Sequence, residues 1–199
     1  MVGAVLLAAC GTSGRELRDV RPGETAPSRT EQAGAAPTSS GDTSTVPGAT
    51  GLTLTAADFS GGEALPVSAS CDGDGLSPAL RWSGVPDGTA ELGLTVIDTA
   101  GAGAVHWAVT AIPPDATGVP RGETPAGAIV HTNVDGEPGW TSVCPPDGET
   151  HTYELTLYAL PEPLALDDTA SGAEVVEALT ARAAGGVATV SLLVGTYSR

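Results

Sequence analysis

From Gly51 onward the chain consists of short apolar segments separated by turn residues. Six of these segments are rich in β-branched and aromatic residues and are bounded by Gly, Pro, Asp or Ser, which is typical of β-strands. The predicted strands are LTLT at 52–55, LRW at 80–82, LGLTVID at 92–98, VHWAVTAI at 105–112, TYELTLYAL at 152–160 and VATVSLLVGTY at 187–197. Their number and spacing predict a mainly β fold, an antiparallel sandwich.

One helix is indicated between the last two of these strands. Ser171 and Glu174 have the spacing of a capping box, in which each side chain binds the backbone N–H of the other residue. The pair Gly185 and Gly186 ends the segment. Its apolar face is formed by Val175, Val176 and Leu179. The sequence therefore predicts a sandwich with a C-terminal helix.

The chain before Gly51 has a different composition. Gly, Ser, Thr, Pro and Ala dominate residues 11–50, and bulky apolar side chains are almost absent. Such a segment buries too little surface to offset the entropy lost on folding. We therefore expect a folded domain at 51–199 preceded by a disordered tether at 10–50.

The first ten residues, MVGAVLLAAC, form a short apolar run that ends in Leu-Ala-Ala-Cys. This run resembles a bacterial lipoprotein signal, with residues 1–9 as the signal peptide and Cys10 as the lipidated residue. No Lys or Arg precedes the run, where a signal has its basic region, so we expect the natural start to lie upstream. The resemblance implies a protein held by lipid on the extracytoplasmic face of the cell membrane. The alternative is an N-terminal stub whose cysteine has no such role.

The charge of the chain is strongly acidic. All eight basic residues are arginine, 24 residues are Asp or Glu, and the formal net charge is −16. From Gly51 onward, four arginines face 19 acids. Such a field repels phosphate backbones and anionic lipid surfaces, so we expect no nucleic-acid partner and no membrane contact beyond the lipid anchor. An anionic ligand would need a local pocket that overcomes this field.

The chain has three cysteines, one near the N-terminus and two in the expected folded domain. If Cys10 carries lipid, Cys71 and Cys144 remain as an even pair in an oxidising compartment, where a disulfide is expected. Two unrelated thiols remain the alternative, because sequence alone does not fix connectivity.

Polar side chains occupy the ends of two predicted strands. The period of two puts His151 and Tyr153 on one face of the strand at 152–160. In LGLTVID, the same rule makes Asp98 the end of an apolar stripe. Residues at strand ends and in the adjoining loops commonly carry function, although each of these side chains taken alone also fits a turn or core role.

His106 begins a similar pattern in the next strand. Alternation places His106 on the same face as Ala108 and opposite Trp107. The loop TAGAGA joins this strand to the one that ends at Asp98, so a hairpin would bring Asp98 and His106 near each other.

Five segments of the chain, taken in order, resemble the successive motifs of the phosphatidylethanolamine-binding protein family. The resemblance is to its bacterial branch of Raf kinase inhibitor-like proteins in particular. The five segments are CDGDGLSPALRWSGVP, LTVIDTA, VHWAVTAIP, CPPDGETHTYELTLYAL and the closing VGTYSR. The resemblance covers nearly all of residues 52–199. It implies a large central antiparallel sheet with a smaller second sheet, a C-terminal helix, and a small pocket for phosphate, phosphoryl headgroups or similar anions.

The resemblance also implies which residues form this pocket. Asp98 matches the first acid of the family's Asp-Pro-Asp motif, and His106 matches the histidine of its His-Trp motif. Pro145 and Pro146 match the prolines of the pocket wall. His151 and Tyr153 match the histidine and tyrosine that close the second motif. Imidazole and phenol groups can donate hydrogen bonds to oxyanions, and a carboxylate can orient a histidine or raise its pKa. The implied ligand-binding residues are Asp98, His106, Pro145, Pro146, His151 and Tyr153.

The chain departs from the family pattern at several positions near this pocket. Thr99 and Ala100 replace the proline and second acid of Asp-Pro-Asp. Where bacterial members read Gly-Tyr-x-Gly-Pro-Cys-Pro-Pro, this chain reads GWTSVCPP at 139–146. Thr152 stands where a basic residue often follows the motif histidine. These departures concern the identity of the ligand more than the fold.

The predicted function is a lipid-anchored binding protein for a small anionic or phosphorylated ligand. The alternative is a protein-interaction module that inhibits or modulates a protease or another envelope partner, as family members elsewhere do. Two histidines and a carboxylate are also residue types of a metal or acid–base site. However, His-x-x-x-His spacing, a nucleophile elbow and a Gly-rich phosphate loop are lacking in the sequence. We therefore expect no enzyme activity, no cofactor and no metal.

Overall fold

The computed structural model describes residues 51–199. The predicted signal peptide at 1–9, the lipidated Cys10 and the tether at 10–50 lie outside the described residues. The strands are β1 (Thr53–Ala56), β2 (Leu80–Ser83), β3 (Glu91–Asp98), β4 (Ala104–Ile112), β5 (Gly118–Val119), β6 (Ile129–Val130), β7 (Thr150–Leu160) and β8 (Thr189–Ser198). The α-helix α1 (Gly172–Ala184) lies between β7 and β8, and a short 3₁₀ helix covers Val67–Ala69.

The strands form two antiparallel sheets, as the sequence predicts. The larger sheet has five strands in the order β6-β4-β3-β7-β8, and the smaller has three in the order β1-β2-β5. The six predicted strands are all present, with ends shifted by one or two residues. β5 and β6 have two residues each, which is too short for an alternating pattern to be read from sequence.

Two apolar clusters cover the two faces of the large sheet. The first joins its strands to the small sheet, with Leu94 and Trp107 packing in the same cluster as Trp82 of β2. The second lies under α1, where Val175 and Leu179 are fully buried. Because both faces are covered, β3 is almost entirely buried, including its polar residues Glu91, Thr95 and Asp98.

α1 begins and ends where the sequence predicts. The N–H of Glu174 donates to the Ser171 hydroxyl at 3.3 Å, and the Glu174 carboxylate accepts the Ser171 N–H at 2.8 Å. These two bonds confirm the capping box, and Gly185 caps the other end. No helix among the described residues is both long enough and apolar enough to cross a membrane.

Candidate functional site

A cavity of about 420 Å³ lies beside the turn that joins β3 to β4. This volume is within the range of small-molecule sites. The end of β3, the start of β4 and the loop between β6 and β7 all contribute to its wall. The lining residues are Cys71, Asp98, Gly101, Ala104, His106, Val134, Asp135, Thr141, Ser142 and Cys144.

Asp98, at the end of β3, is 5% exposed and is held by the turn that follows it. Its Oδ1 accepts the N–H of Ala100 at 3.0 Å and that of Gly101 at 2.7 Å. A Cβ on Gly101 would lie 2.6 Å from Oδ2, so the turn fits around the carboxylate only because this residue is glycine. Asp98 is therefore a fixed acceptor in the cavity wall, although Thr99 and Ala100 differ from the family's motif.

His151, on β7, is bound by carboxylates on both sides. Its Nδ1 lies 2.6 Å from Asp98 Oδ2, and its Nε2 lies 3.2 Å from Glu149 Oε2. Both nitrogens can donate together only when the ring is protonated. The hydrogen bond to Asp98, and next the one to Glu149, therefore raise the pKa of His151. The side chain is 12% exposed and does not belong to the cavity wall.

His106 lines the cavity with one ring nitrogen unpaired. Its Nδ1 lies 3.1 Å from the carbonyl oxygen of Thr141 and donates to it. Its Nε2 has no hydrogen-bond partner among residues 51–199. The residue is only 7% exposed, and this burial lowers the pKa of His106. A neutral His106 thus presents a bare lone pair at Nε2.

A β-bulge sets the direction of His106. In the pairing of β3 with β4, Val96 lies opposite Trp107 and Ile97 lies opposite Val105, so His106 is the extra residue. Val105 packs in the cluster under α1, whereas Trp107 packs in the cluster between the sheets. His106 turns to the side of Trp107, where its ring meets the Tyr153 ring edge-on at 5.3 Å between centroids. The predicted face, shared with Ala108 and opposite Trp107, is therefore wrong.

Tyr153 is fully buried on the same side of the large sheet. In the pairing of β3 with β7, Tyr153 lies directly opposite Asp98. Directly opposite residues of two paired strands lie on the same face of the sheet, so the two side chains are neighbours. The hydroxyl has no hydrogen-bond partner at bonding geometry among the described residues. Burial raises the pKa of Tyr153 well above its usual value, and the negative charge of Asp98 adds to this. Tyr153 is not part of the cavity wall, so it supports the site from behind His106 rather than lining the cavity.

The Cys71–Cys144 disulfide is present, as predicted. Both cysteines line the cavity. Two backbone bonds support the bridge, because the N–H of Cys71 donates to Val143 and the N–H of Val143 donates to Ala69. Pro145 is buried and Pro146 is exposed, and neither is part of the cavity wall.

The structure adds to the cavity wall Asp135, which the sequence did not indicate. Asp135 lines the cavity from the loop between β6 and β7 and accepts a hydrogen bond from the hydroxyl of Thr141. Ser142 lies beside it in the wall. The departure from the family pattern at 139–146 includes Thr141 and Ser142, whereas no sequence signal identifies Asp135, because an irregular loop has no strand or helix period to assign the direction of its side chains.

The site holds more negative than positive charge. No arginine lines the cavity, and three of the four described arginines pair with carboxylates elsewhere: Arg121 with Asp58, Arg182 with Glu162, and Arg199 with Asp72 and Asp147. In the part of the chain that the structure describes, no three His, Cys, Asp or Glu side chains are grouped so as to hold a metal ion. His106 is the only lining side chain that can become cationic.

Comparison with known proteins gives consistent matches. The family model described as "Phosphatidylethanolamine-binding protein" matches residues 55–197. The chain is 38% identical over 196 residues to the "Putative lipoprotein LppC" of Mycobacterium tuberculosis, covering 97% of this chain and 90% of that protein. It is 36% identical over 142 residues to a "UPF0098 protein" of Methanothermobacter thermautotrophicus, covering 68% and 91%. The crystal structure of Escherichia coli YbcL, described as a new member of the mammalian PEBP family, superimposes with a TM-score of 0.66 and 30% identity, covering 75% of this chain and 99% of that one.

Proposed function

Because the chain belongs to the phosphatidylethanolamine-binding protein family, we propose that its cavity binds a small anionic ligand, a phosphate or a phosphoryl headgroup, beside His106. One observation carries this proposal: a histidine that is 7% exposed lines the cavity and leaves Nε2 without a partner among the described residues. An imidazolium N–H at this position would be a charge-assisted donor to a phosphoryl oxygen.

The proton on Nε2 controls this binding. Since Nδ1 donates to Thr141, neutral His106 offers only an acceptor at Nε2, which fits the P–OH of a protonated phosphoryl group. Protonated His106 donates to an unprotonated oxygen instead. In both cases the complex holds one proton more than free His106 and a dianion do, so affinity rises as pH falls. The rise ends below the second pKa of the phosphoryl group, about 6, because the free ligand then carries this proton itself and the free and bound states hold equal numbers of protons.

A thermal-shift titration with inorganic phosphate and with phosphoethanolamine tests the proposal. In the wild type we expect millimolar ligand to raise Tm at pH 5.5 more than at pH 8. The variant His106→Asn keeps an amide donor near the position of Nδ1 and lacks Nε2, so its Tm is expected not to respond. Absence of a rise at pH 5.5, or an equal rise in the variant, would exclude this function.

We also propose that Cys10 is lipidated and anchors the protein at the membrane. The Leu-Ala-Ala-Cys sequence and the similarity to a protein named as a lipoprotein over 97% of this chain support it. In a bacterial host expressing the protein behind a complete lipoprotein signal that ends at Cys10, wild-type protein is expected in the membrane fraction and Cys10→Ala in the aqueous fraction. Mass spectrometry of Cys10 provides the direct check, and an unmodified cysteine would contradict the anchor.

A further inference from the structure

The Cys71–Cys144 disulfide is accessible from solvent. Both cysteine residues are exposed, and neither belongs to the two apolar clusters of the core. A thiolate in solution can therefore reach the bridge, which is not the case for a disulfide enclosed in a core. Neither the proposed anion binding nor the proposed lipid anchor uses the chemistry of this bond.

A guanidinium group contacts one of the two sulfur atoms. Nη1 of Arg199 donates to Cys144 Sγ at 3.6 Å. Among the described residues, no cationic side chain makes such a contact with Cys71 Sγ. The acidic residues Asp72 and Asp74 instead follow Cys71 in the sequence. The two sulfur atoms therefore differ in their electrostatic surroundings, and the positive charge is beside Cys144.

The other contacts of Arg199 hold its guanidinium in this position. Its Nε lies 3.2 Å from Asp72 Oδ1 and its Nη2 lies 3.5 Å from Asp147 Oδ1, so Nη1 is the nitrogen left for the sulfur. The backbone of Arg199 is bonded as well, because its N–H donates to the carbonyl of Glu149 and its carbonyl accepts the N–H of Gly148. These contacts do not involve the disulfide, so we expect them to persist when it opens.

This difference in charge determines which sulfur an incoming thiolate attacks. In thiol–disulfide exchange, a thiolate bonds to one sulfur and expels the other as a thiolate, and the more stable thiolate leaves faster. An adjacent arginine stabilises a thiolate. Cys144 is therefore the better leaving group, and Cys71 is the sulfur that is attacked.

We propose that this disulfide is a site of thiol–disulfide exchange with a dithiol reductant, with Cys71 as the attacked sulfur and Cys144 as the leaving group. A thiolate of the reductant bonds to Cys71 Sγ, the bond between Cys71 and Cys144 breaks, and its electron pair leaves on Cys144 beside Arg199. The second thiolate of the reductant then bonds to the first sulfur of the reductant and releases Cys71. Of the two protons that the reductant gives up, Cys71 takes one and solvent takes the other. Two electrons pass to the protein, and the dithiol becomes a disulfide.

Reduction removes a covalent tie between two segments of the chain. The bridge joins the segment that contains Cys71 to the loop between β6 and β7. Two backbone bonds remain between these segments, from the N–H of Cys71 to Val143 and from the N–H of Val143 to Ala69. The reduced protein is therefore expected to keep its fold with a looser connection at this place. The exchange does not depend on the anion binding proposed above.

The test measures the rate at which dithiothreitol reduces the disulfide of the folded protein at pH 7 and constant ionic strength. The released thiols are alkylated and counted by mass spectrometry. Arg199→Gln removes the charge beside Cys144, so we expect the rate to fall about threefold, a modest factor because two carboxylates already offset this charge. Arg199→Lys keeps the charge and should be reduced faster than Arg199→Gln.

Arg182→Gln is the matched control. It removes the same charge and another ion pair, the one with Glu162, from α1 on the other face of the large sheet. Its rate of reduction should equal that of the wild type. If Arg199→Gln merely loosened the segment around the bridge, the disulfide would become more accessible and reduction would be faster. The direction of the change therefore separates the loss of leaving-group stabilisation from a structural effect.

Alkylation of the reduced protein provides a second readout. With substoichiometric iodoacetamide at pH 7, the ratio of labelled Cys144 to labelled Cys71 is expected to be lower in Arg199→Gln than in the wild type, because the thiolate is the reactive form. A reduction rate in Arg199→Gln equal to or above that of the wild type overturns the proposal. So does an equal slowing in Arg182→Gln, or a labelling ratio that Arg199→Gln leaves unchanged. The Tm response to phosphate is measured separately, so either proposal can fail while the other stands.

Discussion

Replacing Cys71 and Cys144 together by alanine is expected to lower the free energy of unfolding by about 4 kcal/mol. The two cysteines are 73 residues apart, so the bridge closes a long loop and removes many conformations from the unfolded chain. Urea unfolding of the oxidised wild type and of the double variant measures the difference, with the m-value reporting whether the unfolded state has expanded.

The reduced wild type is the control for this comparison, because it lacks the bridge but keeps both sulfur atoms. Its midpoint should lie close to that of the double variant. The backbone bonds of Val143 to Ala69 and Cys71 remain available without the disulfide, so we expect the fold to persist. A loss below about 1 kcal/mol would mean that the unfolded chain is already restricted, or that these bonds hold the two segments without help.

Asp98→Ala is expected to lower the free energy of unfolding by about 2 kcal/mol, the second largest effect, because a buried carboxylate that accepts three hydrogen bonds is lost while its donors are only partly buried. The substitution removes the acceptor of two backbone N–H groups and the carboxylate that faces His151. The loss should depend on pH. Because His151 has a raised pKa in the folded state, its contribution to stability is complete below the unfolded pKa of about 6.5 and fades as pH rises through the folded value. The difference in the free energy of unfolding between wild type and Asp98→Ala, measured by urea unfolding, should therefore become smaller from pH 5.5 to pH 8.5.

Asp98→Asn separates the two parts of this effect. Its side-chain oxygen still accepts N–H groups of the turn, whereas its neutral amide cannot stabilise an imidazolium. We expect Asp98→Asn to lose less stability than Asp98→Ala. The difference in the free energy of unfolding between wild type and Asp98→Asn should still become smaller as pH rises from 5.5 to 8.5. A difference from wild type that is constant between pH 5.5 and pH 8.5 in both variants would show that Asp98 does not hold a protonated His151.

Regular alternation made part of the site predictable. β7 has no bulge in its pairing with β3, so counting by two correctly placed His151 and Tyr153 on one face, with Asp98 beside them. β4 has two register shifts against β3, and one of them is at His106. Period-two counting therefore failed there, since a bulge turns the following residues by one position and leaves no mark in a single sequence.

The remaining gaps come from loops. The disulfide could be predicted because only two cysteines follow Cys10, and the helix because its cap has a defined sequence. The position of Asp135 depends on how the loop between β6 and β7 folds against β4, and no periodic pattern contains that information. The binding roles implied for Pro145 and Pro146 remain predictions, since both lie outside the cavity wall.

The carboxylate of Asp98 also has a consequence for dynamics. One oxygen holds the amides of Ala100 and Gly101, and the other holds His151. The turn between β3 and β4 and the imidazole are therefore attached to the same carboxylate. We expect the protonation state of His151 to affect how readily this turn opens, because it changes the charge that Asp98 faces.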